Sequence, residues 1–191
     1  MDRRELFRTA GAALPAIALL SPARLDAMHR ALRRDGSGAL RALDAHQAET
    51  VATITELIIP TTDTPGARAA HVTEFIDLML AELSDADDRA RFVAGVADVD
   101  ARSNALFGTP FVAATPENQT RLLQMLEAEG LEARAIDREA RPFFADIKWL
   151  TLLGYYTSEV GQTQELHNVI VPGRYEACMA IAPAPQGGLN R

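Results

Sequence analysis

The sequence predicts an all-α fold, a compact single-domain bundle of about five to six helices with an irregular C-terminal tail. Ala, Leu, Arg and Glu are abundant among the 191 residues, whereas there are only 12 glycines and 10 prolines, and this balance favours helix over sheet. Apolar residues recur at spacings of three and four along several segments, as they do on one face of a helix. Capping residues precede several of these segments, which indicates where helices begin.

The composition is that of a soluble globular protein, with 48% hydrophobic and 24% charged residues. The length suffices for one domain with a proper core. A net charge of -7 argues against a general nucleic-acid binder, whose surface is usually basic. No run of 18 apolar residues encodes an ordinary membrane-spanning helix. The single cysteine, Cys178, excludes an internal disulfide and a cysteine-based structural zinc site.

Residues 1–23 have the pattern of a secretory signal. Arg3 and Arg4 precede an apolar pair that includes Phe7, a small-residue apolar segment follows, and Ser-Pro-Ala at 21–23 offers a cleavage site. The adjacent arginines predict a twin-arginine signal, which is read by the route that exports folded proteins. The alternative is an amphipathic N-terminal helix of a cytosolic protein.

The helical domain is expected over residues 44–182. A lead-in strap at 24–43, interrupted by an Asp-Gly-Ser-Gly cluster, precedes it. A tail at 183–191, rich in Pro and Gly, is predicted to be disordered. Asp44, with Gln47 three residues on, predicts a capping box and the start of a helix that ends before Pro60.

Four further helices are expected, each with one apolar face. Thr115 followed by Pro116 is the strongest start among them, because proline is favoured at the first helical position. From Gly161 onwards the periodicity is lost. The predicted bounds are Val72 to Leu83, Ser84 to Gly108, Thr115 to Gly130 and, after a charged patch at 132–141, Phe143 to Tyr155.

The loop at 61–66, Thr-Thr-Asp-Thr-Pro-Gly, separates the first two helices. All six residues favour turns or caps, so the loop could hold one conformation while exposed. Two interpretations stay open. The loop is either a well-capped corner between packed helices or an interface loop, to which Thr62, Asp63, Thr64 and Pro65 would contribute.

An aromatic cluster at 149–156 is the second candidate for a contact surface. Trp149, Tyr155 and Tyr156 point in different directions around a helix, so they cannot all face one core. Aromatic side chains with a polar end are enriched at interfaces. The alternative is that Trp149 and one tyrosine are ordinary core residues.

No catalytic, cofactor-binding or metal-ligating residues are predicted. The four histidines are scattered, and no two have the spacing that places metal ligands on one helix face. There is no glycine-rich phosphate loop. No serine lies in a nucleophile elbow. The sequence therefore predicts a protein without a catalytic site of its own.

Four blocks of the sequence resemble the gluconate 2-dehydrogenase subunit 3 family. They are residues 57–67 (LIIPTTDTPGA), 72–77 (VTEFID), 154–161 (GYYTSEVG) and 171–178 (VPGRYEAC). The first block is the most specific, and the aromatic block is next. With the twin-arginine start, the resemblance spans nearly the whole chain.

The resemblance implies a small, helical, non-catalytic partner of a large flavoprotein of the glucose-methanol-choline type. That partner would bind FAD and oxidise a sugar, polyol or sugar acid, and electrons often pass on to a cytochrome c subunit. The small subunit would carry the export signal for both, which implies a periplasmic complex whose only membrane association is through the signal segment or the partner. Tyr175 joins the expected interface residues.

Two other functions remain open at this point. The protein could be a stand-alone periplasmic sugar-binding module that uses Trp149, Tyr155 and Tyr156, because sugars stack on aromatic rings. It could also be a subunit that lends His167 or Tyr156 to the substrate pocket of its partner. The substrate of such a partner is open among gluconate, glucose, fructose and glycosides.

Overall fold

The structure is a computed structural model that describes residues 40–168. Within this range the chain forms helices and turns but no strand, so the predicted all-α class is confirmed. None of these helices has the length and apolarity that crossing a membrane requires. The elements are α1 (Ala45–Ile58), α2 (Val72–Glu82), α3 (Ala86–Phe107), a 3₁₀ turn (Phe111–Ala113), α4 (Pro116–Ile136), α5 (Phe143–Thr157) and a π-helical turn (Gly161–Glu165).

Several predicted features lie outside the described residues. They are the signal segment 1–23 with Arg3, Arg4 and Phe7, the strap as far as residue 39, Tyr175, Cys178 and the predicted tail at 183–191.

Three of the predicted helix starts, those of α1, α3 and α4, are confirmed by side-chain caps. The Asp44 side chain accepts a hydrogen bond from the Gln47 amide at 2.8 Å, and the Gln47 side chain accepts one from the Asp44 amide at 3.0 Å. This is the complete capping box expected from the sequence. Asp85 caps α3 by accepting from the Asp88 amide at 2.7 Å, and Thr115 caps α4.

One predicted helix end is right and another is wrong. Gly108 ends α3 in the left-handed region, at φ 74°, where glycine has no Cβ to clash. Gly130 does not end α4, which continues to Ile136. A glycine inside a helix costs only about 1 kcal/mol relative to alanine. Here the bare Cα also lets the Pro142 ring approach, since an added Cβ would lie 3.2 Å from two of its carbons. Residues 132–136 of the predicted charged patch are therefore helical.

Helix α5 lies at the centre of the bundle and packs against each of the other four α-helices. Its buried side agrees with the predicted one. Phe143, at the edge of that side, is half-buried and stacks edge-on against Phe92, with 5.3 Å between ring centroids. The large side chains that are fully buried in the core include Val51, Ile54, Val72, Phe75, Ile76, Val96, Val99, Phe111, Leu122, Ile147 and Tyr155.

A buried carboxylate holds the chain where it enters α1. Asp77 of α2 is only 3% exposed. Its Oδ2 accepts from the Arg41 amide at 2.8 Å, and its Oδ1 accepts from the amides of Ala42 and Leu43 at 2.9 Å each. These three bonds satisfy both the carboxylate and a non-helical stretch of backbone. The chain is thus fixed to the core before the first helix begins.

Replacement of Asp77 by alanine should lower the free energy of unfolding by about 2–4 kcal/mol, because backbone amides near the core lose their acceptor. The measurement is chemical denaturation followed by circular dichroism. Glu74→Ala, at a half-buried position of the same helix where the carboxylate contacts only His71 at 3.3 Å, is the matched control and should change stability by less than about 1 kcal/mol. Equal denaturation midpoints for the two variants would contradict the role given to Asp77.

Candidate functional site

The loop between α1 and α2 is organised by one carboxylate, that of Glu56. Its Oε1 accepts from the amide of Thr61 at 3.0 Å and from the hydroxyl of Thr61 at 2.9 Å. Its Oε2 accepts from the Arg68 amide at 2.9 Å. The Thr61 hydroxyl in turn accepts from the Gly66 amide at 3.0 Å. The two ends of the loop are therefore tied to the last turn of α1.

Gly66 lies where only a glycine fits. A Cβ at this position would lie 2.4 Å from Glu56 Oε1 and 2.6 Å from the Thr61 amide nitrogen. Next to it, the Ala67 amide donates to the Ile59 carbonyl at 3.0 Å. The close approach allows Glu56 to reach both sides of the loop.

Tyr155 of α5 binds the same loop from the side that faces the core. Its ring is 1% exposed, and its hydroxyl donates to the Pro65 carbonyl at 2.8 Å. Nearby, the Thr64 hydroxyl donates to Glu165 Oε2 at 2.7 Å. The blocks at 57–67 and 154–161, far apart in sequence, thus meet in one place. Tyr155 stabilises the loop from within and leaves little of its ring for a partner to contact.

The tip of the loop presents side chains to solvent. Thr62 and Asp63 are exposed, whereas Thr64 and Pro65 are half-buried. The Thr62 hydroxyl donates to Asp63 Oδ1 at 2.9 Å, and the Thr62 amide donates to the Thr64 carbonyl at 3.0 Å. The two interpretations of this loop are therefore compatible, since a well-capped corner also displays a fixed polar tip.

The aromatic residues divide between core and surface, as the sequence predicts. Trp149 is 50% exposed and Tyr156 is also partly exposed, whereas Tyr155 is buried. The rings of Tyr155 and Tyr156 pack edge to face, with 5.3 Å between centroids. Trp149 and Tyr156 are seven residues apart, two helical turns along the outer side of α5.

Ion pairs flank both regions. Near the loop, the hydrogen bond from Arg68 lowers the pKa of Glu49 and raises that of Arg68. Near Trp149, burial alone would raise the pKa of Asp88, but hydrogen bonds from Arg91 and Arg141 outweigh it and lower that pKa. Because these groups are substantially exposed, each pair is expected to contribute less than about 1 kcal/mol.

Each histidine among the described residues contacts a different partner. His46 Nε2 lies 2.5 Å from Asp100 Oδ2, and His167 Nδ1 lies 3.1 Å from the Thr163 carbonyl oxygen. Within residues 40–168, no group of three or more His, Cys, Asp and Glu side chains is placed to hold a metal ion. In this part of the chain, the candidate site is a surface formed by the fixed loop at 61–66 and the partly exposed aromatic side chains of α5.

Glu56, on which the loop depends, is not among the site residues that the sequence predicts. One signal was present, since a carboxylate in the last turn of a helix opposes the helix dipole. Hydrogen bonds from backbone amides stabilise a carboxylate in that position, and the amides just beyond the helix end are the nearest donors.

A family model described as gluconate 2-dehydrogenase subunit 3 matches residues 45–173, about two thirds of the chain. The match begins at the first residue of α1 and contains the whole of the loop and of α5. No curated protein matches the chain, and neither does any solved structure.

Replacement of Tyr155 by phenylalanine removes the bond to Pro65 and should lower the free energy of unfolding by about 1 kcal/mol. Amide hydrogen exchange at Gly66 and Ala67 should accelerate, because the loop loses its support from beneath. Tyr156→Phe is the matched control, since the Tyr156 hydroxyl makes no hydrogen bond within residues 40–168. Unchanged exchange in Tyr155→Phe would show that the conformation of the loop does not depend on the Tyr155 hydroxyl.

Proposed function

This chain belongs to the gluconate 2-dehydrogenase subunit 3 family, and we propose that it is the non-catalytic small subunit of a periplasmic FAD-dependent dehydrogenase. The complex oxidises a sugar, polyol or glycoside. Its large subunit is a flavoprotein of the glucose-methanol-choline type that carries the FAD, and a cytochrome c subunit is a further candidate member. The small subunit stabilises the flavoprotein and brings it through twin-arginine export.

The observation that carries this proposal is a loop held rigid from within and exposed at its tip. Glu56 and Tyr155 take up the polar groups that shape the loop, while Thr62 and Asp63 remain accessible. A preformed surface favours binding, because less conformational entropy is lost when the partner arrives. The proposed contact residues are Thr62, Asp63, Thr64, Pro65, Trp149 and Tyr156, with Tyr155 as support and Tyr175 from beyond the described residues.

The proposed role is to stabilise and export the flavoprotein. A subunit that binds the folded flavoprotein and not its unfolded chain stabilises the folded form by mass action. A twin-arginine signal on one subunit exports both, because this route accepts proteins that have already folded. The flavoprotein then needs no signal of its own.

A stand-alone sugar-binding module is the second candidate. The observation that favours it is a hollow of about 220 Å³ beside Trp149, whose lining includes Asp88, Arg91, Arg141 and Asp146. Aromatic rings and charged planar groups are both suited to sugars. Binding of a sugar by the isolated protein is the result that would favour this function.

Conservative replacement of both Arg3 and Arg4 by lysine should keep the flavoprotein in the cytoplasm. The chain is co-expressed with its large subunit in the native host, and flavin absorbance and dye-linked dehydrogenase activity are measured in the periplasmic fraction. Both should fall to background in the double variant. Arg8→Lys, in the same segment, is the matched control and should leave export unchanged.

Affinity purification of the tagged wild-type chain from the periplasm gives the decisive comparison. A large co-purifying chain with the absorbance of oxidised flavin is expected. A lone, colourless protein would overturn the subunit function.

A role for Tyr156 or His167 in the partner's substrate pocket is excluded if their replacement leaves the kcat and KM of the complex unchanged.

A further inference from the structure

Trp149 is half-exposed although it lies on the central helix of the bundle. It is the only tryptophan in the chain, and 50% of its surface is accessible. Leu152 and Tyr156, three and seven residues further on, are also partly exposed. This spacing places the three side chains in one stripe along the outer face of α5. An apolar stripe of this kind marks an interaction surface when it continues into neighbouring elements.

The stripe continues into a hollow on either side of Trp149. The α2–α3 hollow has a volume of about 220 Å³, and the α4–α5 hollow has a volume of about 280 Å³. Trp149 is the one residue that lines both. The apolar lining of the first is Met79, Leu80, Leu83, Phe92 and Leu150, and that of the second includes Leu126, Leu131, Phe144 and Leu152.

The charged groups around the α2–α3 hollow are paired with one another. Asp88 Oδ1 lies 2.6 Å from Arg91 and 2.9 Å from Arg141. Asp146 Oδ2 lies 3.6 Å from each of these two arginines. Because the four side chains neutralise one another, the hollow offers an occupant mainly its apolar floor. A small polar ligand would instead be expected to meet converging polar groups that it can bind.

The α4–α5 hollow differs in one respect, since its lining includes a cation that has no ion-pair partner among residues 40–168. Lys148 and Glu127 pair at 2.6 Å. Arg134 is exposed and lines the same hollow, but it forms no ion pair within residues 40–168. Leu131, 66% exposed, lies beside it in the lining. A complementary occupant of this hollow would present an apolar side chain together with a carboxylate.

We propose that the large dehydrogenase subunit docks on this Trp149 face, with an apolar side chain in each hollow on either side of Trp149 and a carboxylate against Arg134. The inference rests on the proposed function, because family membership makes this chain one subunit of a dehydrogenase complex. An apolar centre inside a polar rim is the usual anatomy of a protein interface. Tryptophan and arginine are the residues on which binding energy concentrates.

The test measures the affinity of the full chain for the flavoprotein subunit with which it co-purifies. Trp149→Ala should raise Kd by about thirtyfold or more, as loss of an interface hot spot does. Leu131→Ala and Arg134→Glu should each raise Kd by several-fold. Leu106→Ala is the matched control, because Leu106 is 52% exposed but lines neither hollow. All four variants should melt close to the wild type, since the replaced side chains are exposed.

A second readout uses the single tryptophan. Incorporation of 5-fluorotryptophan into this chain alone gives one fluorine resonance, from position 149. Addition of unlabelled flavoprotein should shift that resonance and abolish its sensitivity to exchange of solvent H₂O for D₂O. Burial of the ring at the interface predicts both changes.

The outcomes separate this inference from the function on which it rests. If the wild-type complex forms but Trp149→Ala binds as tightly as Leu106→Ala, the Trp149 face is not the docking surface and the subunit function stands. If no flavoprotein co-purifies with the wild-type chain, both are wrong. A fluorine shift with sugar and none with flavoprotein would identify the hollows as a ligand site and overturn the docking proposal.

Discussion

The burial of α5 is the constraint on which the rest of the bundle depends. This helix of 15 residues contacts all four other α-helices, and Ile147 in its first half and Tyr155 near its end are both fully buried. Each fully buried large apolar side chain contributes about 1.5–3 kcal/mol, so the stability of each neighbour depends on this shared contact. With four helices packed around it, α5 keeps only a narrow outer strip, and Trp149 occupies that strip.

Two carboxylates accept hydrogen bonds from backbone amides that lie outside the helices and therefore have no partner within a helix. Asp77 binds three successive amides ahead of α1, and Glu56 binds both sides of the loop that follows it. Both side chains belong to helices, so each connects irregular backbone to a rigid element. The two segments that flank α1 are thereby fixed without any strand or disulfide in the described chain.

Local features could be predicted from the sequence, and distant contacts could not. The caps at Asp44 and Asp85 were identified because a cap and its partner lie within one helical turn. The bond from Tyr155 to Pro65 joins positions 90 residues apart, and no periodicity reports such a contact. The sequence therefore predicts Tyr155, like Trp149, as a contact residue, whereas the structure buries it beneath the loop. The buried role of Asp77 had a signal in the sequence, because Asp77 is the one charged residue within the apolar run at 75–80.

The contrast between Tyr155 and Trp149 explains how one helix can serve both stability and association. At the end of α5, Tyr155 uses its hydroxyl to fix the loop, and binding at that loop then needs little further ordering. Six residues earlier, Trp149 leaves apolar surface in contact with water, which is unfavourable, and the docking that we propose would remove this surface from water. Immobilising each flexible side chain at an interface costs about 0.5–1.5 kcal/mol, so a surface already shaped by the core loses less on binding. For the export of a folded pair that we propose, this arrangement would let the small subunit complete its folding before the partner binds.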